Sequence, residues 1–157
     1  MAQDKMDAEL ESQLAVGDRA WAALCAVLDA SEPDRPLHDP DSPDWTSRDI
    51  YTHFIRMHEG SANAIRSELA RQAVDWEAED TPQRIQAMER RNDARVEKDR
   101  RYSFDDAQAR AQAARDAYRE LICSLTVDQW RAFGRKHSDD LLGGHYEGHL
   151  RYIQGAS

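Results

Sequence analysis

Cysteine is almost missing from this chain: among 157 residues only Cys25 and Cys123 carry a thiol, far apart and each inside an apolar helical pattern. That excludes a disulfide framework and a Cys-x-x-Cys metal site, and it reads both thiols as buried packing residues rather than nucleophiles. An excess of positive charge is missing as well. With 21 Lys and Arg against 30 Asp and Glu, the formal net charge is -9. Neutralising phosphates needs the opposite balance, so no nucleic acid is expected as a partner. The densest basic stretch, Arg84 to Arg101, is interrupted by Glu89, Asp93, Glu97 and Asp99 and reads as a solvated helix face. No window approaches the roughly 18 successive apolar residues of a membrane span. The opening Met1-Ala2-Gln3-Asp4-Lys5-Met6-Asp7 has no apolar signal region, so a soluble, cytoplasmic protein without a membrane partner is expected. Strand-like alternation and internal repeats are absent too, which leaves an all-α fold. The length suits one domain, residues 1–157, and folding at that size buries roughly 70% of the surface of the unfolded chain.

What is present is helical periodicity. Leu10, Leu14, Gly17, Trp21, Leu24 and Leu28 recur in steps of three and four, predicting a helix from about Asp7 to Ala30 with one face toward a core. Pro33, Pro36, Pro40 and Pro43 make Ser31 to Asp44 a long loop, and loops of that length are often functional. Thr46 with Asp49 three residues later forms a capping box that opens a second helix bearing Ile50, His53, Phe54, Met57, Ala64, Ile65 and Leu69 on its inner stripe. Thr81-Pro82 opens a third, to about Arg100, in which Asn92 interrupts the apolar face of Ile85, Met88 and Val96. Asn92 is either a buried hydrogen bond that fixes helix register or a polar group in a pocket. Ser103 with Asp106 opens a fourth, Phe104 to Ser124, and Thr126 caps a short turn before Trp130. A last helix, opened by Asp139 or Asp140, carries Leu142, His145, Tyr146, His149, Leu150 and Ile153.

The chemistry concentrates in the histidines. His145 and His149 stand one turn apart on one helical face, their Cβ atoms roughly 5–6 Å from each other, so both side chains can grip one ion. His53 lies on the inner stripe of the second helix, where a bundle brings it alongside. Three imidazoles leave open positions on a cation, and neutral imidazole suits borderline metals. Three satisfied core histidines are the competing reading, but each would need its own buried partners. His58, about 140° round the helix from His53, reads as surface or rim, as do His38 and His137. Asp49 has a sufficient role as a cap, Trp45 plugs the bundle end, Tyr146 packs, Glu147 faces solvent, and Glu59 is a candidate helper beyond His53.

The stretch Asp44-Trp45-Thr46-Ser47-Arg48-Asp49-Ile50-Tyr51-Thr52-His53-Phe54, followed by His145-Tyr146-Glu147-Gly148-His149-Leu150, resembles the DinB/YfiT-like superfamily of four-helix bundles over nearly the whole chain. That superfamily includes mycothiol-dependent maleylpyruvate isomerases, related bacterial thiol S-transferases and the ClbS/DfsB group. The resemblance implies a four-helix bundle with extra short helices, and it implies His53, His145 and His149 as ligands of a divalent cation, zinc or nickel. The segment from Asp49 through His58 is similar to the isomerase type. That type carries Glu where His145 stands, and the spelling His145-Tyr146-Glu147-Gly148-His149 is closer to the ClbS/DfsB group. The implied activity is that of a metal-dependent thiol S-transferase or hydrolase acting on a small electrophilic molecule, with a low-molecular-weight thiol such as mycothiol as a cofactor. The alternative is a ClbS-like resistance protein that binds or inactivates a reactive natural product with little metal dependence. A third expectation is a helical interaction module, such as a homodimer, whose histidines only pack.

Overall fold

A computed structural model describes residues 2–40, 42–70, 82–138 and 141–155, with backbone alone for 2–7, 84, 85 and 88. Among these residues the fold is all-α, a four-helix bundle with short extra helices. The long helices are α1 (Ala2–Ala30), α2 (Ser47–Leu69), α3 (Pro82–Asp99) and α4 (Phe104–Cys123). A three-residue turn α5 (Val127–Gln129) runs into a single π turn at Trp130–Gly134, and α6 (Gly144–Ile153) closes the order. None of these helices is long and apolar enough to cross a membrane.

The caps read from the sequence set the helix starts. Thr46 accepts from the Asp49 amide while the Asp49 carboxylate answers the Thr46 amide at 3.0 Å, a reciprocal box. Ser103 accepts from the Asp106 amide, and Thr126 forms a second reciprocal box with Gln129. Thr81, Asp139 and Asp140 lie outside the described residues. The last helix does not open at an aspartate, however: it begins at Gly144, behind Gly143 in the left-handed region at φ 112, with no side-chain cap. The first helix starts at Ala2, five residues earlier than expected, since the apolar stripe that marks it in the sequence begins only at Leu10.

Helix α2 is the hub, packing on α4, α3 and α1, while α6 lies against α1. All six stripe residues of α1, Leu10 to Leu28, are buried. The five other than Gly17 divide between two apolar clusters, and burying a leucine fully contributes about 1.5–3 kcal/mol. One cluster gathers Trp21, Leu24 and Leu28 around Ile50, Tyr51, Phe54 and Tyr146; the other joins Leu10 and Leu14 to Ile65, Tyr118, Ile122 and Leu141. Leu69, expected on the inner stripe, is 40% exposed at the last position of α2. Cys123 is exposed at the end of α4, contrary to the packing role expected of it. Cys25 is half-buried, and burial pushes its thiol up to about 11, which suits packing and not nucleophilic attack.

Two histidines read as surface are buried. His58 is fully enclosed among the rings of Trp21, Phe54, Tyr118 and Tyr146, because α6 and α4 cover the side of α2 that the helical wheel alone leaves open. His137 is folded against the bundle by the Tyr118 hydroxyl, which donates to its carbonyl, and its Nε2 lies 3.7 Å from Glu68. His38 is exposed as expected. The basic stretch of α3 is largely a solvated face, with Arg90, Arg91 and Arg95 exposed. At its end Arg100, itself exposed, reaches in to pair with the buried Asp49 at 3.3 Å and ties the end of α3 to the capping box of α2. Asp99 does the same from α3 with Arg56 of α2, through two bonds of 3.0 Å.

Candidate metal centre

Helix α2 delivers His53 from its inner face, and one turn of α6 delivers His145 and His149 opposite it. The three Nε2 atoms converge. His145 Nε2 lies 3.2 Å from that of His53 and 3.2 Å from that of His149, and all three nitrogens fall within 4.8 Å of one another. Nitrogens held about 2.0–2.1 Å from a tetrahedral metal are roughly 3.3–3.4 Å apart, so the spacing fits a single cation. Protons serve the cluster less well. Each ring nitrogen carries either one proton or one lone pair, and His145 Nε2 has two partners at the same distance, so one proton cannot serve both contacts properly.

The surroundings hold His53 neutral and orient His149. Burial drives His53 well below the usual histidine range, and the neighbouring His145, His149 and His58 add to the shift in the same direction. Its lone pair is therefore available at neutral pH. His149 Nδ1 donates to Asp39 Oδ2 at 3.0 Å, which sets the tautomer and turns the bare Nε2 toward the other two rings. Asp39 is 1% exposed and comes from the proline-rich loop. The chain takes a left-handed turn at His38, φ 58, immediately before it, and the bond from the Leu37 amide to the Trp45 carbonyl at 2.9 Å closes the loop. Histidine tolerates that conformation better than most residues. The long loop thus supplies a buried carboxylate to the cluster.

Apolar rings wall the site. Phe54 lies 5.0–5.4 Å, centroid to centroid, from all three imidazoles, and Trp45 is tilted against His53 at 5.1 Å. Trp45 accordingly does more than plug the end of the bundle. Asn92 is half-buried and lines a narrow cleft with Thr52, His53, Arg56 and Val96, which favours the pocket reading of that residue. Glu147 faces solvent, and Glu59 is exposed on α2. Asp49 stays with its cap and with Arg100. Reasoning on the sequence missed Asp39. A histidine that ligates a metal commonly hands its other N–H to a carboxylate, which tells one to look for an acid, but the loop holds Glu32, Asp34, Asp39, Asp41 and Asp44 without distinguishing marks.

No match was found among curated proteins or solved structures. A family model does match: the mycothiol maleylpyruvate isomerase N-terminal domain, over residues 14–143. The matched region contains His53, Asp39 and the whole of α2 to α4, and it ends one residue before α6 with His145 and His149. With most of its length matched and the DinB-like helical architecture in place, the chain belongs to the mycothiol maleylpyruvate isomerase N-terminal domain family.

Proposed function

We propose that the chain is a metal-dependent enzyme in which His53, His145 and His149 hold one divalent cation, zinc or nickel, and in which a small thiol of the mycothiol type is transferred to an electrophilic small molecule. The observation that supports this most is the 3.2 Å spacing of His145 Nε2 from both other rings, inside a family named for a thiol-dependent isomerase. A cation in such a site acidifies a thiol or water in its open position toward neutrality. The protein's own groups prepare the place: His53 is kept unprotonated by burial, Asp39 orients His149, and Phe54 and Trp45 exclude water around the imidazoles. Neither cysteine takes part. Cys25 lies between α1 and α4 beside Tyr51 and Gln112, and Cys123 is on the outside.

Glu is usual in the isomerase type where His145 stands, and this keeps a second reading in play, a protein that inactivates a reactive natural product with water or by sequestration. One experiment separates them. The purified protein, loaded with zinc or nickel and then stripped by chelator, is mixed with a panel of small electrophiles with and without mycothiol or a simpler thiol. Thiol-dependent turnover that disappears on stripping is expected. Turnover that water sustains equally well rules out the thiol, and tight binding without turnover in either metal state supports sequestration.

The supporting carboxylate gives a second expected result. Asp39→Asn keeps the size of the side chain but removes its charge, and it should weaken metal affinity by about 10–100-fold, measured by competition with a chromophoric chelator. An unchanged affinity would mean that Asp39 serves only to close the loop.

A further inference from the structure

Helix α6 has ten residues and no side-chain cap at its start, and a helix so short is marginal by itself in water. Something in the bundle must therefore fix its rotation. The only fully buried residue it contains is Tyr146, next in sequence to His145 and three before His149. The phenol oxygen of Tyr146 is gripped from two helices. It lies 2.6 Å from His58 Nε2 on α2 and 3.3 Å from Arg115 Nε on α4. Arginine can only donate, so the phenol accepts from Arg115 and keeps its own proton for His58 Nε2. Arg115 is 4% exposed, its guanidinium 5.8 Å from the Trp21 ring and 5.6 Å from the Tyr146 ring, and it is anchored to Asp18 of α1 at 2.7 Å. The row Asp18, Arg115, Tyr146, His58 thus links α1, α4, α6 and α2, the phenol oxygen of Tyr146 meeting both α4 and α2.

We propose that Tyr146 is a positioning residue for the metal centre: its phenol, held between His58 and Arg115, sets the roll of α6 so that His145 and His149 present their Nε2 atoms to His53. This rests on the metal reading above. Adjacent residues on a helix are about 100° apart, so a buried anchor at Tyr146 fixes the directions of the residue before it and the residue three beyond it. A phenol that only filled space would need neither bond.

The test uses the full chain and cobalt(II) and zinc as probes. Tyr146→Phe keeps the ring in its aromatic surroundings and removes both bonds. The expected results are a folded protein by circular dichroism, a loss of zinc affinity of roughly tenfold or more, a changed cobalt(II) visible spectrum, and a smaller rise in melting temperature on adding zinc than wild type shows. Arg115→Met, which leaves Asp18 paired with Arg119 at 3.1 Å, should move all three readouts the same way by less, and it serves if the phenylalanine variant does not fold. A folded Tyr146→Phe or Arg115→Met with wild-type zinc affinity, spectrum and zinc-induced shift overturns the positioning role, since a purely structural residue lowers stability equally with and without metal. Failure of the metal reading looks different: wild type itself takes up neither ion, and the proposal falls with it.

Discussion

His145→Ala is expected to abolish metal binding while the bundle still folds. His145 Nε2 is the shared vertex of the cluster, 3.2 Å from each of its two partners, so its removal leaves His53 and His149 without the ring that stands between them. Wild type purified without added metal should carry about one equivalent of zinc or nickel by elemental analysis, and the variant close to none. The loss in affinity should exceed the roughly 10–100-fold that removing a supporting partner costs. Heat provides an independent readout. A cation at about a hundred times its dissociation constant stabilises the folded state by about 2.7 kcal/mol, which for a domain of this size is a rise in melting temperature of roughly 5–10 °C. Wild type should show that rise and His145→Ala should not, whereas Glu11→Ala, on the exposed face of α1, should behave as wild type. Equal metal content in wild type and His145→Ala would remove the centre from consideration.

Gly17→Ala should be the most damaging conservative change in the core. Gly17 is buried on α1 where the segment leading into α6 crosses it, and an added Cβ would sit 1.9 Å from the Leu141 carbonyl oxygen and 3.3 Å from the Leu142 Cα. Both are backbone atoms, so no side chain can rotate out of the way. Overpacking typically costs 1–3 kcal/mol, and here about 3 kcal/mol is expected, a fall in melting temperature of roughly 6–12 °C. Alanine is the better helix former by about 1 kcal/mol, so the effect runs against propensity. Gly60, in α2 with nothing within 4 Å of an added Cβ, is the control: Gly60→Ala should stabilise by about 0.5–1 kcal/mol. The two substitutions should move the thermal melt in opposite directions. A neutral Gly17→Ala would show that the 141–142 segment yields, and with it the seat of α6.

Much of this architecture was legible in the residues because its causes are local. The α1 stripe, the Thr46–Asp49 and Thr126 boxes and the Ser103 cap depend on neighbours three or four positions away, and each occurs where its spacing places it. The i, i+4 pair His145 and His149 is local too. What failed was the burial of single residues whose cover comes from elsewhere in the chain. His58 is on the wrong side of α2 for a stripe drawn through His53, yet α6 and α4 enclose it. Periodicity tells how a helix divides its faces and says nothing of how many neighbours it will have. His137 is buried by a tyrosine hydroxyl on α4, and Cys123 is exposed because α4 ends there. Gly143, left-handed and packed against Gly17 and Ala20 of α1, took the place expected of an aspartate cap.

By itself, then, the order of residues determined the helical class, the helix starts set by side-chain caps and the presence of two imidazoles on one face of a short helix. These follow from hydrogen bonds and apolar spacing within a turn or two. Only the tertiary structure decided that His53 meets that pair, that Asp39 on a proline-rich loop 110 positions from His149 turns its ring, and that Tyr146 joins His58 to Arg115. Those contacts span helices that are remote in the chain. They depend on how four faces close against one another at once, a condition that no local spacing contains.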